Sequence, residues 1–439
     1  MSRQEKKKEK MLENDVHAAL TCDDILNEIL LRLPEKFVFR LILVSKRWLR
    51  VICSSSFRSD YRARWGVDFH HLGFFVCNQL YLNRPKDGMR RPKSEPALQL
   101  LSACEEGDDV CNDLMASGNC KQLGYFIDSC NGLLLCGRHP LTYSVWNPIS
   151  KVLFQLPQPQ RFYKRLCMAF IAEDNFDDIL QYKVIRANCE CKREVNTVSI
   201  ETYSSVTGTW KHFTLTCSSK FSLRPWTVAT VINGVVYWFA TQGKIAIKES
   251  VAIYDPRVGN TRVELLKLPD GNISQDYDEF VLGESSDGLL QYGQSSKSGM
   301  EIWVLEKEQD SSISSITTNV QSNRKWKIRY RLGFKAMWKK NPSFCKQTKE
   351  AQLLSFLPRN SEYVFIRSGQ NIFLLHIESQ MLKVNRYHGP SSHIQWDFSR
   401  VVPYFQPSWP RSSLCHEKAA TSAWPSTNQE TAAPAWPSW

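Results

Sequence analysis

Residues 20–57, LTCDDILNEILLRLPEKFVFRLILVSKRWLRVICSSSF, decide how the rest of the chain is read. Ile25, Leu26, Ile29, Leu30 and Leu33 stand at the one- and four-residue offsets that gather an apolar stripe on a helix. Thr21 followed three residues later by Asp24 has the form of a capping box, and Pro34 cannot continue the i to i−4 ladder. The spacing therefore predicts a helix that stops near Leu33, with a turn after it. A second apolar segment, Val38 to Val44, ends at Ser45. Ser45 suits the N-cap of a further helix in which Trp48 and Ile52 lie one turn apart and Lys46, Arg47 and Arg50 face solvent. Three short helices are expected. So small a unit buries little surface, yet its apolar residues cover more than one face of each helix, so it is expected to pack against something else.

DDILNEILLRLP followed by VSKRW resembles the F-box, the module by which substrate receptors of SCF-type ubiquitin ligases grip a Skp-family adaptor. The acidic start, the apolar pairs, the Leu-Pro at the turn, VSKRW and the trailing Ile52 and Phe57 fall in order over about a tenth of the chain. Cys22 stands where the family often has proline, and Glu35 precedes Lys36 where an aliphatic residue is common. Carried onto this sequence, the resemblance implies adaptor contacts from Ile25, Leu26, Ile29, Leu30, Leu33, Pro34, Val44, Ser45, Trp48 and Ile52. It also implies an indirect association with a cullin and a RING protein.

The 439 residues are enough for two or three folding units, and 42% of them are hydrophobic. No apolar run reaches membrane-spanning length, since Arg40 interrupts the longest candidate. MSRQEKKKEK at the start lacks the apolar stretch of a secretory signal, so the cytosol or nucleus is the expected location. In that reducing compartment the 14 cysteines read as small core residues. Cys189 and Cys191, and the loosely spaced Cys104, Cys111 and Cys120, lack the paired spacing and partner histidines of a zinc site. The formal charge of +12 suits an acidic partner, but Lys6, Lys7, Lys8 and Lys10 lie in a mixed-charge tail.

From Tyr125 onward, short apolar or alternating runs bounded by Gly, Asn, Asp and Pro predict many antiparallel strands. Turn-plus-strand units recur: Asn131-Gly132 before LLLC, Asn233-Gly234 before VVYWF and Asp287-Gly288 before LLQY. Trp146, Tyr203, Tyr254 and Trp303 recur at intervals of 57, 51 and 49, from 203−146, 254−203 and 303−254. That interval is near the roughly 50-residue kelch period and predicts a β-propeller, with room for five or six blades. YFIDSCNGLLLC, VWNPISKVLFQLP, NGVVYWF and IYDPRVG are similar to the F-box-associated interaction domain of the large plant F-box families, a kelch-like propeller. The expected fold class is α+β multidomain, a three-helix F-box followed by an all-β propeller. The expected segments are a charged tail at 1–19, the F-box at 20–66, a linker with first strands at 67–124, the propeller at 125–405 and a disordered tail at 406–439. A strand is expected over Gly73 to Val76.

Nucleophile elbows, Walker loops, GxGxxG turns and metalloprotease helices are absent, and no cofactor or metal site is expected. Glu173, Asp174, Asp177 and Asp178 crowd what reads as one polar loop, where solvated turn residues are a simpler account than a glycosidase pair. His70 and His71 point to opposite sides if extended; His376, His388 and His393 read as core or rim residues. One stretch supports a binding role. In RKWKIRYRLGFKAMWKK, Trp326, Ile328, Tyr330 and Leu332 alternate with Lys325, Lys327, Arg329 and Arg331, so a strand there is expected to bury one face and present four cations on the other. Those four are the candidate docking residues for an acidic or phosphorylated target, although a charged outer strand that keeps an edge soluble has the same pattern. Nucleic acid fits less well, because the aromatics fall on the face opposite the cations. The sequence thus reads as a non-enzymatic substrate receptor for an unknown target protein. An F-box scaffold without a degradation role, a nucleic-acid-binding module and a propeller hydrolase remain as alternatives.

Overall fold

The computed structural model describes residues 22–33, 37–38, 41–42, 44–65, 71–78, 98–102, 125–138, 142–147, 152–174, 180–189, 195–225, 227–242, 248–259, 261–269, 280–307, 324–344, 351–358, 360–369, 371–384 and 399–405. The expected tails at 1–19 and 406–439, and Cys104, Cys111, Cys120, Cys191, His388 and His393, lie outside these residues.

The helical unit contains α1 (Asp23–Leu30), α2 (Lys46–Ile52) and α3 (Ser55–Trp65). Helix α1 starts from Cys22, whose side chain makes no capping bond; Thr21, the expected cap, is outside the described residues. It ends at Leu30 rather than Leu33, because the Arg32 and Leu33 amides donate to the Ile29 and Leu30 carbonyls, tightening the chain into three-residue turns. Ser45 caps α2 as expected, its hydroxyl accepting from the Trp48 amide at 3.2 Å. Helix α3 begins at the end of the stretch read as three helices and lies within the expected F-box at 20–66. Its Phe57 and Tyr61, one turn apart, join Leu26, Leu30, Val38 and Ile52 in the core of the unit.

The β unit begins with β1 (His71–Asn78) and β2 (Leu98–Ser102), so the expected strand at Gly73 to Val76 is longer than its pattern indicated. Then come β3 (Tyr125–Cys130), β4 (Leu133–Arg138), β5 (Thr142–Asn147) and β6 (Val152–Gln155), which form one antiparallel sheet, blade I. Blade II holds β7 (Leu166–Asp174), β8 (Leu180–Asn188), β9 (Val195–Ser204) and β10 (Thr209–Leu223). Blade III holds β11 (Thr230–Ile232), β12 (Val235–Gln242), β13 (Lys248–Tyr254) and β14 (Glu264–Lys267). The long β10 links these two blades, pairing with β9 for most of its length and with β12 at Ser222 and Leu223. Blade IV holds β15 (Phe280–Glu284), β16 (Leu290–Ser295), β17 (Gly299–Lys307) and β18 (Arg324–Gly333). Helix α4 (Phe334–Lys340) precedes blade V, built from β19 (Gln352–Leu357), β20 (Asn360–Ser368), β21 (Asn371–His376) and β22 (Met381–Val384). Finally β23 (Ser399–Phe405) returns to pair antiparallel with β1, which pairs with β2, to give blade VI with three strands among the described residues.

The first strands meet in sequence: β3 touches β7, β7 touches β11, β11 touches β15, β15 touches β19, β19 touches β23, and β23 touches β3. Six blades therefore close into a ring. The joint is made by the two ends of the domain's sequence, with β1 and β23 in register from Val76 opposite Val401 to Gly73 opposite Tyr404. Phe75 packs there edge-to-face with Tyr404 and tilted against Phe126, at centroid distances of 5.1 and 5.4 Å.

Both faces of a blade are covered. Along β7, Cys167, Ala169 and Ile171 join a cluster shared with blade III, while Met168, Phe170 and Ala172 join one shared with blade I. Burial on both sides is why this strand reads as a continuous apolar run. The recurring aromatics occupy one structural position: Trp146, Tyr203, Tyr254 and Trp303 all lie in the third strand of their blades and are all buried. The recurring turns join first to second strands. Asn131-Gly132 and Asn233-Gly234 have positive φ at both residues, as a two-residue primed hairpin requires.

Two packing features are exacting. Arg186 and Glu201 face each other across β8 and β9 with fully buried side chains, Nη1 donating to Oε2 at 2.6 Å. Nη1 also donates to the Arg161 carbonyl, the Arg161 amide donates to Glu201 Oε1, and the guanidinium lies 5.2 to 5.7 Å from the rings of Tyr143, Tyr163 and Trp210. Between blades IV and V, Gly283 and Gly293 leave room for Phe356 of β19; a Cβ on Gly293 would strike Leu353 and come 2.7 Å from Phe356 Cζ.

Glu201→Leu is expected to lower the unfolding free energy of the full chain by about 3–5 kcal/mol, because it strands Arg186 unpaired; Arg186→Met together with Glu201→Leu should cost less than the single change. Gly293→Ala is expected to cost about 1–3 kcal/mol by overpacking. Urea denaturation followed by tryptophan fluorescence checks both, and an unshifted midpoint for either single variant would contradict the packing described.

Candidate functional site

Helices α1 and α2 are tied by Arg47, whose Nε donates to Asp23 Oδ1 at 2.8 Å, and α3 is tied to the turn after α1 by the Tyr61 hydroxyl, donating to the Leu33 carbonyl at 2.7 Å. This frame sorts nine of the ten expected adaptor contacts into three groups. Leu26, Leu30 and Ile52 are fully buried in the unit's own core. A stripe wider than the core needs has one edge turned inward. Leu33 and Trp48 are half-buried against that core, and Ser45 is committed to its cap. Ile25, Ile29 and Val44 remain 43%, 40% and 58% exposed. Pro34 lies outside the described residues. Phe37, at 50% exposure, is a further apolar side chain left in solvent that the sequence reading did not single out.

The apolar face is thus divided around the helix: Leu26 and Leu30 point inward while Ile25 and Ile29, each one position earlier, point outward. Isolated exposed apolar residues are ordinary. Two isoleucines one turn apart on a short helix make a continuous ridge.

The basic strand β18 does not present its four cations on one face. Pairing runs Tyr330 opposite Ile302 and then Ile328 opposite Trp303, so Arg329 is an extra residue in a β-bulge. A bulge reverses the side-chain alternation. Trp326 and Ile328 consequently share the face of Arg331, and Lys325 and Lys327 share that of Tyr330 and Leu332. Ile328, expected to be buried, is 41% exposed. Most of the charge is already partnered within the propeller: Lys327 with Glu306 at 3.5 Å, Arg329 with Asp287 at 3.1 Å, Arg331 with Glu301 at 2.6 Å, and Arg324 with Glu264 at 3.8 Å. Arg329 also reaches Ser361, linking blade IV to blade V. Lys325 is exposed and has no partner among the described residues.

The carboxylate group expected on one loop is divided, because β7 extends through Glu173 and Asp174; Asp177 and Asp178 lie outside the described residues. Cys130, at the end of β3, has its thiol pushed up to about 12 by burial, with Asp128, Glu173 and Glu284 adding to the rise. A thiol so held is neutral and a poor nucleophile. His376 accepts or donates at Ser379 and lies against Tyr363 at the end of β21 in blade V. Among the described residues no group of three or more His, Cys, Asp or Glu is placed to hold a metal ion, and no helix is long and apolar enough to cross a membrane.

Comparison with known proteins agrees with this division. The F-box domain family matches residues 22–60, and the family described as "F-box protein At3g26010-like, beta-propeller" matches residues 112–343. The chain is similar to F-box protein At5g03970 of Arabidopsis thaliana, 44% identical over 421 residues that cover 95% of each chain. It is also similar to putative F-box protein At1g12855 of the same plant, 25% identical over 66% of this chain and 65% of that one. Among solved structures, the tricorn protease resembles 59% of this chain over 26% of its own length at 8% identity, with a TM-score of 0.29 that carries no argument. With an F-box at its start and a β-propeller of this type after it, the chain belongs to the F-box proteins with an At3g26010-like β-propeller.

Proposed function

We propose that this chain is the substrate-recognition subunit of an SCF-type ubiquitin ligase, acting in the cytosol or nucleus. The F-box grips a Skp-family adaptor, the adaptor connects it to a cullin and a RING protein, and the propeller holds a target protein for ubiquitination. The observation that carries this reading is the exposed ridge of Ile25 and Ile29 on α1, with Val44 ahead of α2, on a unit that has filled its core without them. Adaptor binding removes that ridge from water. Leu33 and Trp48 support it from behind, through their contact with the core, and Pro34 belongs to the same contact by family resemblance.

No catalytic group is assigned to this subunit. Its contribution is proximity: a target held near a ubiquitin-charged enzyme reacts at a high effective concentration while another subunit performs the chemistry. A closed ring of blades suits such work, since the loops at its ends can vary while the interblade cores hold them in place.

Full-length protein should retain a Skp-family adaptor in a pull-down, and Ile25→Asp combined with Ile29→Asp should weaken retention about a hundredfold or more, since each buried isoleucine is worth about 1.5–3 kcal/mol. The propeller's denaturation midpoint should not move. Equal retention of the adaptor by parent and double variant overturns the assignment of this ridge.

A further inference from the structure

The connection from β6 to β7, residues 156–165, reads LPQPQRFYKR and has no regular structure, yet it is bonded to the blades on both sides along its length. The Leu156 amide donates to the Tyr143 carbonyl at 2.9 Å, Trp210 Nε1 to the Pro157 carbonyl at 2.7 Å, and the Cys189 amide to the Arg165 carbonyl at 2.8 Å. Tyr163, only 3% exposed, shares a 3.0 Å hydrogen bond between its hydroxyl and Ser199 Oγ. Near the middle, the backbone of Arg161 is gripped twice: its amide donates to Glu201 Oε1 at 2.9 Å, and its carbonyl accepts from Arg186 Nη1 at 3.1 Å.

A fully buried ion pair adds little net stability over apolar side chains of the same volume. The Arg186–Glu201 pair does what apolar side chains could not: each partner gives a hydrogen bond to the same loop residue, so the backbone at Arg161 is fixed. Pro157 and Pro159 fix φ at two further positions. The residue that follows Arg161 is Phe162. At 65% exposure it shares with Val206 the greatest exposure of any large apolar side chain among the described residues. Gln160, Arg161 and Lys164 beside it are exposed as well, and residues 156–165 contain no acid. The Arg161 guanidinium has no carboxylate partner among the described residues. A ring held in water on a fixed backbone has already lost the loop entropy that binding would otherwise remove, so covering it yields more affinity than covering the same ring on a mobile loop.

We propose that Phe162 is a preorganised docking anchor, recognising an unmodified segment of the target protein that sets an apolar side chain next to Asp or Glu. The ring packs on the apolar side chain while Arg161 meets the carboxylate. The inference rests on the reading of the propeller as the target-binding module, and adaptor binding does not depend on it. Charge selects the partner: every charged residue of the loop is basic and the chain carries a formal charge of +12, so an acidic surface is complementary and a second copy of this chain is not. Single-stranded nucleic acid is the less favoured ligand, because successive bases need successive aromatic platforms, and the neighbouring Tyr163 is buried with its hydroxyl committed to Ser199.

The test passes a synthetic pool of random peptides, none phosphorylated, over immobilised full-length protein. The parent should enrich sequences that place Leu, Phe or Trp within a few positions of Asp or Glu. For an enriched peptide, Phe162→Ala should weaken binding at least about tenfold, the low end of what burying a phenylalanine contributes, and Phe162→Leu should recover part of that loss. Arg161→Gln should weaken it up to about fivefold, as for an exposed ion pair, and reduce its salt dependence. Val206→Ala, at an equally exposed position on the β9–β10 turn at the opposite end of blade II, should leave binding unchanged. The replaced side chains are all exposed, so the denaturation midpoint should stay where it is. Adaptor retention measured on the same preparations separates failure here from failure of the receptor assignment. The proposal is overturned by a folded parent that retains the adaptor but enriches no peptide, by enriched peptides that lack acidic residues, by unchanged binding in Phe162→Ala, or by binding of generic single-stranded RNA that displaces the peptide and is itself weakened by Phe162→Ala.

Discussion

A four-stranded sheet with apolar side chains on both faces has no stable existence alone, and every feature of the larger unit follows from how that second face is covered. Each blade uses its neighbour. Alternate residues of β7 serve two different cores, one toward blade I and one toward blade III, so no blade can be removed without exposing two others. Such an arrangement is incomplete until its ends meet. The antiparallel pairing of β23 with β1 supplies that closure with strands separated by most of the domain's sequence. Contacts of such long range form late and slowly in folding chains, and they make the whole ring rather than the single blade the cooperative unit.

The helical unit meets the same shortage of covering surface at a smaller scale and resolves it differently. Among the described residues its core of Leu26, Leu30, Leu31, Val38, Ile52, Phe57 and Tyr61 uses one side of each helix. Ile25 and Ile29 are left over. In a propeller the surplus apolar face is covered by the next blade; in the F-box it is left for another protein, so stability and recognition are two uses of one excess of hydrophobic surface.

The basic strand shows how one inserted residue changes the meaning of a pattern. Strict alternation in RKWKIRYR implied a wall of cations, but the bulge at Arg329 turns half the side chains over. Arg329 then crosses to Asp287 and Ser361, while Arg331 settles onto Glu301, a residue 30 positions away in sequence. Cations that look alike in sequence have become a strut between blades, an exposed pair and an oriented donor.

Local chemistry was legible from the residues. The Ser45 cap, the Asn-Gly hairpins and the recurrence of Trp146, Tyr203, Tyr254 and Trp303 on equivalent strands all depend on neighbours within a few positions, or on a repeat whose period survives in the chain. The family resemblance added the order of the two modules. Other properties were decided only when distant segments met: six blades rather than five, the closing pair of β1 and β23, and the burial of Leu26, Leu30 and Ile52 against the exposure of Ile25 and Ile29. A helical stripe states which residues are apolar, but how much of it turns inward depends on α3, whose Phe57 and Tyr61 complete the core. A strand's alternation likewise states two faces until a partner strand imposes a bulge, because register belongs to the pair of strands and is absent from either one alone.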